Sequence, residues 1–106
     1  MKKTRQQDER RKYVRVSIFQ DLILGNKSVQ RANDISEDGM FIATRDTFMK
    51  GSTMNLCFSL FNDDRPIELE AVVIHAKEGE GMGVKFLTIK PEDQERIRSF
   101  IRKFQS

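Results

Sequence analysis

The sequence has 106 residues and a mass of 12.4 kDa, a length that fits one domain with a small core and leaves no room for a second. Hydrophobic residues make up 38% of the chain and charged residues 33%, and no apolar run approaches the roughly 20 residues that a membrane-spanning helix needs. A single cysteine, Cys57, excludes an internal disulfide, and the charged start of the chain lacks the apolar segment of a secretory signal, so we expect a cytoplasmic protein.

The net charge of +3 is unevenly distributed. Residues 1–16 carry seven Lys or Arg and two Asp or Glu, whereas the remaining residues carry twelve and fourteen. The predicted folded part is therefore slightly acidic, which argues against a broad basic surface for nucleic acid and favours a small anionic ligand or a contact through the basic end. Residues 1–9 contain no apolar residue except Met1, and we expect them to form a flexible basic N-terminal arm.

Alternating apolar and polar residues predict six β-strands at spacings of roughly 8–12 residues. The predicted strands cover residues 13–24, 27–34, 40–44, 54–61, 67–76 and 82–87. Turn signals separate them, including Gly25-Asn26, Asn62-Asp63-Asp64 and Gly79-Glu80-Gly81. This pattern predicts a mainly β domain, built as an antiparallel barrel or sandwich.

The C-terminal residues predict an α-helix. Pro91 suits the first helical position, and Glu92 and Asp93 favour the positive N-terminal end. A stripe at helical spacing follows, formed by Ile97, Phe100, Ile101 and Phe104. A helix this short is not stable alone, so its apolar face must pack on the β-structure or on a partner.

A basic cluster, Arg10-Arg11-Lys12-Tyr13-Val14-Arg15, lies where the arm meets the first strand. Such a cluster is often only a solvated tail or a nonspecific anion patch. Guanidinium groups can also bind phosphate and the acceptor edge of guanine bidentately, and they stack on bases.

The stretch Asp34-Ile35-Ser36-Glu37-Asp38-Gly39 reads as a six-residue polar hairpin loop in which Gly39 adopts a positive φ. It also imitates the first half of a calcium-binding loop. However, the twelfth position is Arg45 instead of a bidentate Glu, and strands flank the loop instead of helices. We therefore expect no calcium site here.

No catalytic or metal-binding constellation is found, and we expect the protein not to be an enzyme. His75 is the only histidine and Cys57 the only cysteine, which excludes a clustered His/Cys zinc site. Both lie in apolar strands without a third orienting group, so core or barrel-wall positions are expected for them. Ser36 has no histidine near it in the sequence.

The basic cluster and the loop together resemble the signature of the PilZ family of cyclic di-GMP receptors. The Arg-x-x-x-Arg motif is matched by Arg11 and Arg15, and the Asp/Asn-x-Ser-x-x-Gly motif by Asp34, Ser36 and Gly39. The resemblance covers roughly residues 10–104 and includes Gly83-Val84-Lys85-Phe86 and the C-terminal helix. It implies a six-stranded antiparallel PilZ-type β-barrel with a C-terminal helix over residues 10–106.

The resemblance also implies roles for these residues. Arg11 and Arg15 would engage phosphates and guanine, Asp34 would accept from guanine N–H groups, and Ser36 and Gly39 would contact the ligand closely. Arg10 would serve a second guanine, so we expect an intercalated pair of cyclic di-GMP molecules per chain. Binding is expected to order the N-terminal arm and thereby change the surface offered to a partner protein.

The partner itself stays open, since the family serves motility, pilus and polysaccharide machinery alike. We expect no cofactor, no nucleic acid, no membrane insertion, and a monomer or a weak homodimer. Two alternatives remain. One is a protein-binding adaptor of PilZ fold without nucleotide affinity, and the other is a small barrel that binds single-stranded nucleic acid, which would need exposed aromatic residues on a basic face.

Overall fold

The computed structural model describes residues 15–24, 28–45, 48–60 and 65–105. They form six strands and a helix, α1, at the C-terminal end, which confirms the order and type of every predicted element. The strands are β1 (Val16–Leu24), β2 (Ser28–Ile35), β3 (Gly39–Ala43), β4 (Thr53–Phe58), β5 (Ile67–Lys77) and β6 (Gly81–Thr88). Helix α1 spans Pro91–Gln105. The turns predicted at Gly25-Asn26 and at Asn62-Asp63-Asp64, and the arm at residues 1–9, lie outside the described residues.

The six strands close into a barrel in the order β1-β2-β3-β6-β5-β4, and every neighbouring pair is antiparallel. The closing pair joins β1 to β4, with Leu22 opposite Phe58. Of the two architectures that the alternating pattern allowed, the barrel is therefore the one adopted. A closed barrel pairs the strand edges that an open sheet would leave available for aggregation.

The interior of the barrel is apolar because one side of each strand carries its hydrophobic residues. Strand β4 follows a strict alternation, with Met54, Leu56 and Phe58 buried. The fully enclosed apolar side chains come from all six strands and from α1: Leu22, Ile35, Met40, Ile42, Leu56, Ile67, Ala71, Val73, Met82, Val84 and Ile97.

Helix α1 packs its apolar stripe on the barrel. Ile97, Phe100 and Ile101 are buried in the same cluster as the barrel core. The buried Asp93 lies in the first turn, where the helix dipole favours a carboxylate, and it accepts a hydrogen bond of 2.8 Å from Arg96 Nη1. Within the described part of the chain, no helix is long and apolar enough to cross a membrane.

Two β-bulges shape the outer wall of the barrel around Asp34 and His75. Asn33 is an extra residue in the pairing of β2 with β3, and Ile74 is an extra residue in the pairing of β5 with β6. An extra residue shifts the alternation of side chains between the two faces of a sheet. Asp34 and His75, which directly follow the bulges, therefore lie on the outer face of the barrel.

The predicted six-residue loop is shorter than expected. Ile35 is completely buried and pairs with Val16 on β1 and Met40 on β3, so it belongs to the barrel wall. Only Ser36, Glu37 and Asp38 connect β2 to β3. The burial of one apolar side chain inside a polar stretch explains this correction.

Candidate functional site

Arg15 and Asp34 meet at the end of the barrel where β1 begins and β2 ends. The register pairs Val16 with Ile35 and Ser17 with Asp34, so the antiparallel ladder itself brings the two motifs together. Arg15 Nη1 donates a hydrogen bond of 2.7 Å to Asp34 Oδ1. The two side chains are 26% and 30% exposed, so this ion pair is accessible to a ligand from solvent.

The ion pair leaves much of its hydrogen-bonding capacity unused. Asp34 Oδ1 also accepts a bond of 3.2 Å from the backbone N–H of Phe41, which fixes the orientation of the carboxylate. Among the described residues, no hydrogen bond reaches Asp34 Oδ2 or is donated by Nε or Nη2 of Arg15. An accessible acceptor therefore lies beside a fork of accessible donors.

The pair opens into a cleft of about 340 Å³ on the outer wall of the barrel. Phe41 from β3, His75 from β5 and Gly83 from β6 complete its lining. The rings of Phe41 and His75 lie with their centroids 6.3 Å apart and their planes inclined by 39°. The cleft is therefore lined by both charged groups and aromatic rings.

Ser36 lies within the turn and faces inward. It is only 1% exposed, and its Oγ donates a hydrogen bond of 2.7 Å to Asp38 Oδ1. Its backbone N–H donates to the carbonyl of Gly39 at 2.8 Å, which closes the turn. These contacts give Ser36 a role in shaping the turn, and its direct contact with a ligand stays a prediction.

Gly39 is required for a reason other than the one predicted. Among the glycines that the structure describes, those with positive φ are Gly51, Gly79 and Gly81, so the expected positive φ at Gly39 is wrong. A Cβ at Gly39 would instead lie 2.2 Å from the carbonyl oxygen of Val84 on β6. The neighbouring Asp38 carbonyl accepts a bond of 2.8 Å from the N–H of Phe86, so the turn is held tightly against β6.

The turn is also tied to helix α1 by an ion pair. Arg98 Nε donates to Glu37 Oε1 at 3.1 Å, and Arg98 Nη1 donates to Glu95 Oε1 at 2.7 Å. The hydrogen bond from Arg98 lowers the pKa of Glu95 below its ordinary value of 4.5, and the two carboxylates raise the pKa of Arg98, with Glu37 contributing most. One guanidinium therefore links the turn to the helix.

The predicted site residues are thus only partly brought together. Arg15 and Asp34 line the cleft, Ser36 and Gly39 support the turn behind it, and Arg10 and Arg11 lie outside the described residues. Sequence reasoning missed Phe41, His75 and Gly83. The glycines at 81 and 83 were an available signal, because glycine inside a strand indicates a bulge or the close approach of another group.

A second cleft, of about 540 Å³, lies on the opposite wall and has the wrong charge for an anion. Its lining includes Glu68 and Glu70 of β5 together with Ile23 and Cys57, and no Lys or Arg is among the described residues that line it. Like charges disfavour an anionic ligand there. Of these two clefts, the Arg15–Asp34 cleft is therefore the better candidate for an anionic ligand.

Comparison with known proteins places the chain in one family. The family model described as "PilZ domain" matches residues 4–103. The structure of the Bacillus subtilis inhibitor of motility, MotI/DgrA, is similar with a TM-score of 0.78 and 26% identity, covering 91% of this chain and 51% of that one. Comparison with curated protein sequences found no match.

Two structures from Escherichia coli share the fold at lower identity. The PilZ domain of YcgR with c-di-GMP has a TM-score of 0.68 and 16% identity, covering 91% of this chain and 95% of that one. A longer YcgR in complex with c-di-GMP has a TM-score of 0.68 and 17% identity, with coverage of 91% and 46%. The present chain thus spans about half the length of MotI and of the longer YcgR.

Proposed function

The chain belongs to the PilZ domain family, and we propose that it is a non-catalytic receptor that binds cyclic di-GMP in the Arg15–Asp34 cleft. The observation that carries this proposal is the 2.7 Å ion pair between Arg15 and Asp34, which unites two motifs lying 19 residues apart. Its accessible donors and acceptor complement the phosphates and the base of a guanine nucleotide.

The chemistry of the pair suits guanine in particular. Asp34 Oδ2, to which no described residue donates a hydrogen bond, has two lone pairs for the N–H groups at the Watson–Crick edge of guanine, because an ionised carboxylate is an acceptor only. Arg15 can offer Nε and Nη2 to a phosphate or to the O6 and N7 acceptors of the base. The two charges can therefore be satisfied by one ligand.

Binding must compete with the existing ion pair, and the cost of this competition is small. A pair whose side chains are 26% and 30% exposed is partly screened by water, and its contribution to stability is at most about 1 kcal/mol. Charge-assisted bonds to the ligand contribute about 1.5–3 kcal/mol each. Rearranging the pair around a bound nucleotide is therefore energetically feasible.

We assign Arg11 to the phosphates and Arg10 to a second guanine, which extends the proposal to the residues before β1. We also propose that residues 1–9 form an arm and that the domain covers residues 10–106. With Arg10 present, two cyclic di-GMP molecules are expected per chain. Calorimetry that gives one ligand per chain would contradict this stoichiometry.

The proposed output is an ordering of the arm across the bound ligand, which changes the surface presented to a partner protein. Hydrogen-exchange protection over residues 5–15 is expected to rise when cyclic di-GMP is added. Unchanged protection would count against the ordering and would leave binding intact. Because MotI is an inhibitor of motility, a component of the motility machinery is the first partner to test.

The decisive experiment is a calorimetric titration of cyclic di-GMP into the wild-type chain and into Arg15→Ala and Asp34→Ala. Glu68→Ala is a matched control, because it removes an exposed charge from the opposite wall. We expect binding by wild type and Glu68→Ala, and strong weakening in the other two variants. Equal binding by all four chains would contradict the assigned site, and no binding by any would favour the adaptor.

A single-stranded oligonucleotide titrated in parallel separates the receptor from a nucleic-acid binder. The receptor is expected to bind cyclic di-GMP tightly and the oligonucleotide weakly, in keeping with the slightly acidic charge of residues 17–106. Preference for the oligonucleotide would overturn the proposal in favour of that alternative.

A further inference from the structure

Phe41 and His75 form an aromatic pair that is open to solvent on the outside of the barrel. His75 is exposed and Phe41 is half-buried. Both line the same cleft as Arg15 and Asp34, although neither belongs to the two sequence motifs. Aromatic rings on the outer wall of a small barrel gain little from the core, so a pair placed in the candidate binding cleft suggests a use in recognition.

Strand β6 leaves space for the two rings because it has glycine at positions 81 and 83, directly beneath them. A Cβ at Gly83 would lie 2.6 Å from Cε1 and 2.7 Å from Nε2 of His75. A Cβ at Gly81 would lie 2.7 Å from Cε2 of Phe41. The rings therefore rest directly on the backbone of β6, low in the cleft, where they form its floor.

The bulge at Ile74 is what brings the imidazole to this floor. Val73 faces the core, and strict alternation would bury His75 on the same side. The extra residue returns His75 to the outer face, opposite Gly83 in the ladder. The barrel therefore departs from regular geometry at the position where the ring is needed.

On the basis of the proposed function, we propose that Phe41 and His75 are further ligand-contacting residues, on whose rings a guanine base of cyclic di-GMP stacks. Aromatic side chains bind bases through their faces, and their removal weakens binding by about 5- to 100-fold per stacked base. Asp34 reads the edge of the base, and the aromatic pair supports its face. Gly83 is needed because any side chain there would displace the imidazole.

The single histidine gives a direct test on the unmodified chain. The Cε1 and Cδ2 protons of His75 are unambiguous in a proton NMR spectrum, and a base stacked on the ring shifts them through its ring current. We expect both signals to move as cyclic di-GMP is added and to saturate with the calorimetric isotherm. If calorimetry shows saturable binding of cyclic di-GMP but the histidine signals do not move, the proposed stacking is wrong and the proposed function still stands.

Variants at His75 separate stacking from hydrogen bonding. We expect His75→Ala to weaken binding about 10-fold and His75→Phe to restore it to within about threefold of wild type. Phe41→Leu keeps an apolar side chain and is expected to weaken binding by several-fold. Wild-type affinity in His75→Ala and Phe41→Leu would contradict the inference, whereas failure of the wild type itself to bind would overturn the proposed function and this inference with it.

A double-mutant cycle tests the role assigned to Gly83. Gly83 is proposed to matter only because it leaves space for the imidazole of His75. Gly83→Ala should then weaken binding in the wild-type background and have no further effect in the His75→Ala background. Equal and additive losses in both backgrounds would contradict that role. Melting curves for each variant confirm that the chains compared are folded.

Discussion

Asp34 and Gly39 begin and end the same six-residue motif, yet their surroundings are opposite. Asp34 is half-exposed, one of its carboxylate oxygens accepts from Arg15 and Phe41, and no described residue donates to the other. Gly39 is buried against β6, where the Val84 carbonyl leaves no space for a side chain. Between them, Ser36 is buried and bonded within the turn.

This contrast shows that residues of one motif can serve different purposes. In the proposed function, the Asp34 end presents groups to the ligand, and the Gly39 end fixes the turn so that these groups are held in place. A loss of binding at Gly39 would therefore not show that Gly39 touches the ligand. Stability and affinity must be measured separately for each position.

The largest effect is expected for Gly39→Ala. Its Cβ would meet a backbone oxygen at 2.2 Å in a ladder that cannot move freely, so we expect a loss of about 3 kcal/mol in the free energy of unfolding. Urea denaturation measures this loss. Gly83→Ala is the matched control, because the atoms nearest to its Cβ belong to the exposed imidazole of His75, and it should cost much less. Equal costs would contradict the packing argument.

Asp34→Ala is expected to show the reverse pattern. The substitution removes the acceptor for guanine, so affinity for cyclic di-GMP should fall about 100-fold. The free energy of unfolding should change by no more than about 1 kcal/mol, because the ion pair is partly exposed. Calorimetry and urea denaturation on the same samples measure both quantities. If Asp34→Ala lost stability but kept its affinity, Asp34 would support the fold instead of contacting the ligand.

Ser36→Ala should give an intermediate loss of stability. Removing the buried hydroxyl breaks its bond to Asp38, which we expect to cost about 1 kcal/mol. Ser99→Ala on α1 is the control, because its hydroxyl makes only long bonds with exposed side chains, donating to Glu95 at 3.3 Å and accepting from Arg102 at 3.4 Å. If thermal melts show equal shifts for the two variants, Ser36 does not shape the turn in the way described.

The smallest effect concerns Arg98 of α1, which bonds both Glu37 of the turn and Glu95 of the helix. Because the pKa of Glu95 is lowered chiefly by its bond from Arg98, Arg98→Gln should raise it toward 4.5, as an NMR titration of the Glu95 carboxyl would show. A lowered pKa in the folded state stabilises the protein above pH 4.5, and this stabilisation is lost as pH falls through the lowered value. Arg98→Gln should therefore lose less stability on acidification than wild type. An unchanged Glu95 pKa would contradict the assigned cause.

The strands and the helix could be predicted because their signals are local. Alternation identified β4 with Met54, Leu56 and Phe58 inward, and the helical stripe identified the buried Ile97, Phe100 and Ile101. Closure into a barrel depends on the pairing of β1 with β4, which is distant in the chain. The residue pattern alone left that choice open, and the family resemblance supplied it.

The site was predicted only in part, and the bulges explain the difference. If the alternation continued from Val73, His75 would be buried. The extra residue Ile74 shifts the alternation, so His75 lies on the outer face instead. The extra residue Asn33 likewise turns Asp34 outward, but there the motif had already predicted a ligand-binding role for Asp34. The close approach behind Gly39 comes from a neighbouring strand, and sequence periodicity carries no signal for such a contact.

The most direct test of the central claim is a titration of cyclic di-GMP followed by the backbone amide spectrum of the 15N-labelled chain. We predict saturable shifts at the amides of Phe41 and Gly83, which border the Arg15–Asp34 cleft, and none at Cys57 and Glu68 on the opposite wall. Shifts confined to Cys57 and Glu68, or no saturable shifts anywhere, would contradict the claim that this cleft binds the nucleotide.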